Sequence, residues 1–291
     1  MSSHSPESPY TSELQKNNTL VKAMAEQGII TAPGVYDGIS ARLAATVGFP
    51  ALYASGGAIA RSTGVPDIGL LTLTEVVERI RQIVAASGCP VIADADTGFG
   101  NEVNVKRTVE LFCNAGVSAF HLEDQEFPKR CGHLDGKTLI SQEAMCKKVS
   151  VAKKYSSSVL VIARTDAIAV TGFDDAIERA EAYRDAGADM LFVEAPQTLQ
   201  QIEAIAQRVP GPKLINMFYG GKTPLVPTDD LRAMGYHLVI IPSDLQRAAV
   251  TAMKHTLEVI KRDGNSGAIA QDMMSFKERE ELLNTQSFLN P

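Results

Sequence analysis

The run EDQEFPKRCGHLDGK, residues 123–137, places a thiol and an imidazole just downstream of two adjacent carboxylates, Glu123 and Asp124, in one short segment that its proline and two glycines mark as a loop. Cys131 there lies beside Lys129, Arg130 and His133, surroundings that favour a thiolate and proton exchange. The loop therefore reads as a carrier of a proton donor or acceptor. The other three cysteines read as structural: Cys89 precedes a strand, Cys113 lies on an apolar helix face and Cys146 falls in the helix after the loop. None forms a CxxC pair, which points to free thiols in a reducing compartment and no structural zinc.

A second constellation is acidic. In ADADTGFGN, Asp94 and Asp96 are two apart on a strand, so both side chains are expected on one side. With Glu123 one strand later, the donors are all oxygen, which suits Mg2+ or Mn2+ better than zinc. Mg2+ keeps several waters, so only one of these acids need touch it directly. Arg164, in IARTDA, reads as a buried guanidinium that demands an anion, either Glu194 or a substrate carboxylate. ASGGAIA, residues 54–60, exposes backbone N–H groups to an anion. His121 reads as a packed, hydrogen-bonded core residue.

Positioning these groups requires a repeated strand–helix frame. Eight candidate strands, ITAPGVYD, ALYAS, PVIADAD, AFHLED, VLVIARTD, MLFVEA, KLINMF and HLVIIPS, alternate with amphipathic segments such as LTEVVERIRQIVAAS and NEVNVKRTVELFCNAG that end near glycine. This predicts an α/β fold, a closed (β/α)8 TIM-type barrel over residues 13–262. An open doubly wound sheet fits less well, because GVYDGISARL lacks a glycine-rich dinucleotide turn. Residues 1–12 read as a Ser/Pro-rich leader, and 263–291 as a helical tail that reaches a neighbouring subunit. In such a barrel the C-terminal strand ends line the site. They carry Tyr53 and Ser55, Asp94 and Asp96, Glu123 and Asp124, Arg164 and Asp166, Glu194, Asn216, then Pro242 and Ser243.

The composition narrows the partners. The 291 residues are 45% hydrophobic and 21% charged, enough for one large core. A net charge of -6 excludes the basic footprint of a nucleic-acid or anionic-membrane binder. The polar, acid-containing N-terminus reads as neither signal nor transit peptide, and no apolar run reaches about 18 residues. The expected setting is cytoplasmic.

In order, ADADTGFGN, EDQ followed by KRCGH, ARTDA and FVEAP resemble the isocitrate lyase/phosphoenolpyruvate mutase superfamily, from APGVYDGISARL to about residue 250. The resemblance implies a Mg2+-dependent barrel that makes or breaks bonds beside an α-keto acid, as a homotetramer with exchanged C-terminal helices. It further implies Asp94 as direct metal ligand, with Asp67, Asp96 and Glu123 holding metal-bound waters. Tyr53, Ser55, Gly56 and Gly57 would surround the keto-acid carboxylate and its oxygen, with Tyr53 a candidate base. Arg164 would bridge to the substrate, and Gly132, His133, Glu194 and Asn216 would receive a second carboxylate. Cys131 would be the general acid. KRCGH points to the lyase branch, and its continuation LDGK argues against a tricarboxylate. If Pro242 in VIIPSD aligns with the serine of oxaloacetate hydrolases, that marker is missing, although Ser243 is adjacent. The expected substrate is a small dicarboxylate, 2,3-dimethylmalate, with oxaloacetate hydrolysis and methylisocitrate cleavage as alternatives, and an inactive ligand-binding barrel as the non-enzymatic one.

Overall fold

The computed structural model describes residues 18–290; the expected leader and residues 13–17 lie outside the described residues. Eight parallel strands close a barrel in chain order: β1 (Ile30–Val35), β2 (Leu52–Ala54), β3 (Val91–Asp94), β4 (Ala119–Glu123), β5 (Leu160–Thr165), β6 (Met190–Val193), β7 (Lys213–Asn216) and β8 (Leu238–Ile241). The ring is sealed by β1 on β8, with Ile30 opposite Leu238 and Ala32 opposite Ile240. The expected barrel is the observed fold.

Side-chain alternation explains why polar groups gather at one end. On β3, Val91 and Ala93 pack outward under the helices while Ile92 lies in the barrel interior, so Asp94 follows Ile92 inward. The same two-residue step carries Ala51 and Tyr53 to Ser55, Leu160 and Ile162 to Arg164, Met190 and Phe192 to Glu194, Leu214 to Asn216, and Leu238 and Ile240 to Pro242. Below this polar layer the interior is apolar and filled, as a barrel of this size requires.

The surrounding helices start and stop on local chemistry. Leu73–Ser87 is opened by a capping box between Thr72 and Glu75, is closed by left-handed Gly88, and buries Val76, Val77, Ile80 and Ile83 at helical spacing. Each such buried aliphatic contributes about 1.5–3 kcal/mol. At the opposite end of the barrel from the polar layer, helix Thr19–Gln27 inserts Leu20 into the interior cluster, and Asn18 Nδ2 donates to the carbonyls of Ser118 and Ser158 at 2.7 and 2.9 Å. After β8, helix Asp244–Asp263 leads through a short 3-10 turn, Gly267–Asp272, to helices Phe276–Leu282 and Thr285–Leu289, neither of which buries a residue. Among the described residues, no helix is long and apolar enough to cross a membrane.

Candidate active site

The acids converge at the ends of β3 and β4. One carboxylate oxygen from each of Asp94, Asp96 and Glu123 lies within 4.8 Å of the others. Asp96 does not reach this cluster by strand alternation, as expected, because β3 ends at Asp94. The chain turns instead: Asp96 N–H donates to Asp94 Oδ1 at 3.0 Å, and Asp96 takes a left-handed φ of 45°. A non-glycine residue held there is strained, and such strain collects at functional sites. Asp67 joins through Lys129, whose Nζ stands 2.5 Å from Asp67 Oδ1 and 2.7 Å from Asp96 Oδ1.

The cluster fits a divalent cation. Burial lifts the Glu123 carboxyl well above the usual range, and burial with the Asp94 and Asp67 charges lifts Asp96 to about 6 against the pull of Lys129. Burial alone would depress Lys129, but Asp96, Asp67 and Glu123 raise it well above an ordinary lysine. Neither Glu123 oxygen has a hydrogen-bond partner. The Lys129 ammonium, with the Arg164 guanidinium beside Glu123, leaves these hard oxygen donors undercompensated, which is the donor set that Mg2+ or Mn2+ takes.

The glycines of the 54–60 loop let backbone close on the acids. Gly56 N–H donates to Asp94 Oδ2 at 3.2 Å, and a Cβ at Gly56 would sit 2.6 Å from that oxygen. Tyr53 OH donates to the same oxygen at 3.2 Å and lies 2.8 Å from His121 Nε2. Burial, then Asp94, raises the phenol well above its usual pKa, which favours the donor role for Tyr53. His121 is fully buried and hydrogen-bonded, as anticipated, but its partners belong to the site.

Across the cavity stand Arg164, Glu194, His133 and Asn216. Arg164 is not paired with Glu194: its Nε and Nη2 fork onto Asp166 at 2.9 and 3.1 Å, and Nη1 lies 3.2 Å from Glu123 Oε2. The reason is reach, since Arg164 and Asp166 are two apart at one strand end. Glu194 Oε1 instead faces His133 Nε2 at 3.0 Å and accepts from Asn216 Nδ2 at 3.3 Å. His133 Nδ1 accepts from Lys222 N–H at 3.1 Å, which leaves the proton on Nε2. Phe192, Phe218, Ile240 and Pro242 add apolar wall.

The loop lies over this cavity of about 340 Å³, with Cys131, Gly132 and His133 in its lining. Gly132 is pressed so close that a Cβ would meet Arg164 Nη2 at 2.5 Å and Glu194 Oε1 at 2.6 Å. Cys131 is not set up as a thiolate. Burial, then Asp67, raises its pKa, because Lys129 turns to the acids and Arg130 to the Asp135 carbonyl. Arg61 Nη2 stays 4.0 Å from Sγ. A thiol that remains protonated is suited to giving a proton.

Tyr53, Ser55, Gly57, Asp67, Asp94, Cys131, Gly132, His133, Arg164, Glu194, Asn216 and Pro242 thus line one cavity, with Gly56, Asp96 and Glu123 against it. The sequence reading passed over Lys129 as a partner of the acids, and over Lys137, Arg61 and Gln246; ordinary loop and helix positions gave no signal for them. Cys89, Cys113 and Cys146 point their thiols at backbone carbonyls, consistent with structural roles.

The phosphoenolpyruvate phosphomutase family matches residues 21–261. A 2-methylisocitrate lyase of Halalkalibacterium halodurans is 42% identical over 91% of this chain and 88% of its own. A 2,3-dimethylmalate lyase of Eubacterium barkeri is 41% identical over 90% of this chain and 92% of its own. Among solved structures, oxaloacetate acetylhydrolase with 3,3-difluorooxalacetate superposes with a TM-score of 0.87 at 33% identity, covering 95% of each chain. Matched along nearly its whole barrel, the chain is a member of the isocitrate lyase/phosphoenolpyruvate mutase superfamily and, with these relatives, one of its lyases.

Proposed function

We propose that the chain cleaves the C2–C3 bond of a 2-hydroxy dicarboxylate, 2,3-dimethylmalate, to pyruvate and propionate. The observation that carries this reading is the Cys131 thiol lining the same cavity as Asp94 and Arg164; burial, which raises its pKa, favours the protonated form. Asp94, Asp96, Glu123 and Asp67 would hold Mg2+ or Mn2+, which supplies Lewis acidity that lowers the pKa of the substrate hydroxyl and stabilises charge on that oxygen. The Ser55–Gly57 backbone, with Tyr53 as donor, receives the carboxylate next to that oxygen. With Tyr53 favoured as a donor, the hydroxyl proton leaves towards the acids.

As the bond breaks, its electron pair passes to C3 and spreads into the departing carboxylate. His133 Nε2–H, Asn216 Nδ2 and Arg164 face that charge, with Glu194 orienting the first two. Cys131 then gives its proton to C3, and Gly132 seated against Arg164 and Glu194 keeps water out.

Two features favour a dicarboxylate carrying methyl groups. Among the described residues the buried cations lining the cavity already face carboxylates, Arg164 those of Asp166 and Glu123, and Lys129 those of Asp67 and Asp96, while the other two lining guanidiniums, Arg61 and Arg247, are exposed. The Phe192, Phe218, Ile240 and Pro242 wall suits alkyl groups. A second reading, oxaloacetate hydrolysis, is favoured by Ser243, whose position lines the cavity and whose hydroxyl lies 3.5 Å from Asp244 Oδ1.

The test is purified protein with Mg2+ against 2,3-dimethylmalate, oxaloacetate and 2-methylisocitrate, following pyruvate, oxalate and succinate with an EDTA control. EDTA-sensitive pyruvate, dominant from dimethylmalate, is expected; oxalate as main product would make this a hydrolase. The reading includes a cytoplasmic homotetramer in which residues 263–291 pack on a neighbour. Phe276 and Phe288, 73% and 78% exposed, are the side chains it would cover. Light scattering checks the mass.

A further inference from the structure

Lys137 closes the loop that carries Cys131, and in the sequence it resembles any solvated loop lysine. In the structure its side chain is 1% exposed and its Nζ stands 3.0 Å from Asp166 Oδ1, itself fully buried. The same ammonium donates to the carbonyl oxygen of Gly132. Asp166 also receives the Arg164 fork. Behind it, Asp166 N–H donates to Asp124 Oδ1 at 2.9 Å, and Asp124 Oδ2 accepts from the hydroxyls of Thr165 and Tyr183 at 2.7 and 2.8 Å.

One half of this arrangement belongs to the barrel wall and the other to the loop. Asp166 is anchored in the barrel wall through Asp124, whereas the Gly132 carbonyl belongs to the segment seated over the cavity. A buried ammonium is costly unless its donors are satisfied, and lifting the loop removes one of its two acceptors. The lysine therefore favours the seated loop and ties it to the carboxylate that aims Arg164.

We propose that Lys137 is a positioning residue, a latch that joins the Cys131 loop to the Asp166–Arg164 pair, so that the thiol is held over the cavity when the guanidinium is set. The latch rests on Cys131 being the proton donor, but its test needs no substrate. Lys137→Met and Lys137→Gln proteins are treated with iodoacetamide, and alkylation of each cysteine is followed by peptide mass spectrometry with Cys146 as internal reference. In Lys137→Met, Cys131 is expected to react about tenfold faster with Cys146 unchanged, and kcat to fall by more than KM rises. Lys137→Gln, which can still donate to one acceptor, is expected to be intermediate. A folded Lys137→Met protein that protects Cys131 as well as the unaltered chain overturns the latch. So does parallel acceleration at Cys146, or loss of the fold in both variants, since either would make Lys137 a residue of the fold and not of the loop. Faster alkylation without turnover of any tested dicarboxylate would leave the latch standing and sink the lyase reading alone.

Discussion

On one side of the cavity Asp67, Asp94, Asp96 and Glu123 gather around a single buried ammonium, that of Lys129. On the other, Arg164 is forked by Asp166, and Glu194 is met by His133 and Asn216. The first side holds an excess of negative charge in a buried place, so Glu123 and Asp96 are raised above the ordinary carboxyl range, while Asp94, beside His121, Lys129 and Arg164, is held low. The second is neutralised from within, and what it offers a ligand is oriented donors. The contrast separates a place for a cation from a place where an anion is formed and quenched.

Substitutions can break that contrast. The largest effect is expected on the acidic side: Asp94→Asn should abolish Mn2+ binding by calorimetry and lower turnover by about a thousandfold or more, as should EDTA on the unaltered protein. On the neutralised side the main cost should be to the fold. Arg164→Gln leaves Asp166 and Glu123 without their guanidinium and should reduce stability by about 3 kcal/mol, read from urea midpoints with and without Mn2+.

Between the two sides, Cys131→Ser should lower turnover about a hundredfold while Mn2+ binding and stability stay as they were. Unchanged turnover would remove the thiol from the reaction. The smallest effect sharpens the electrostatics of the loop. Since burial and Asp67 raise the Cys131 pKa, its thiolate fraction should keep growing beyond pH 9.0, the ordinary thiol value. Its alkylation rate, measured against pH, should therefore still climb there. A plateau below pH 9.0 would mean that Lys129 and Arg61 outweigh Asp67.

The frame was legible because its signals are local and repeat. Thr72 and Glu75 announce a helix start, Gly88 and Gly116 announce ends, and short β-branched or apolar runs mark the strands. The inward residues were legible too, since a period of two leaves no choice once Ile92 or Ile162 is in the core. What the sequence hid was the pairing of charges across turns. Lys129 and Arg130 adjoin Cys131 in the chain, which argued for a thiolate, yet Lys129 reaches across to Asp67, 62 residues away. Asp96 misled in the opposite way: its spacing from Asp94 pointed to the right place, but a left-handed turn brings it there and not a strand. The Arg164–Asp166 pair is written in the sequence, since residues two apart at a strand end are natural partners.

Leu20 gives the barrel a direction. By packing Leu20 into the end away from the acids and tying the chain ahead of β4 and β5 through Asn18, the first described helix covers the base of the filled interior. The site cavity lies at the other end, beneath Cys131. Shortening the chain past Leu20 would uncover the base of that filled interior and lower stability by about 2–5 kcal/mol, although no residue of the site had changed.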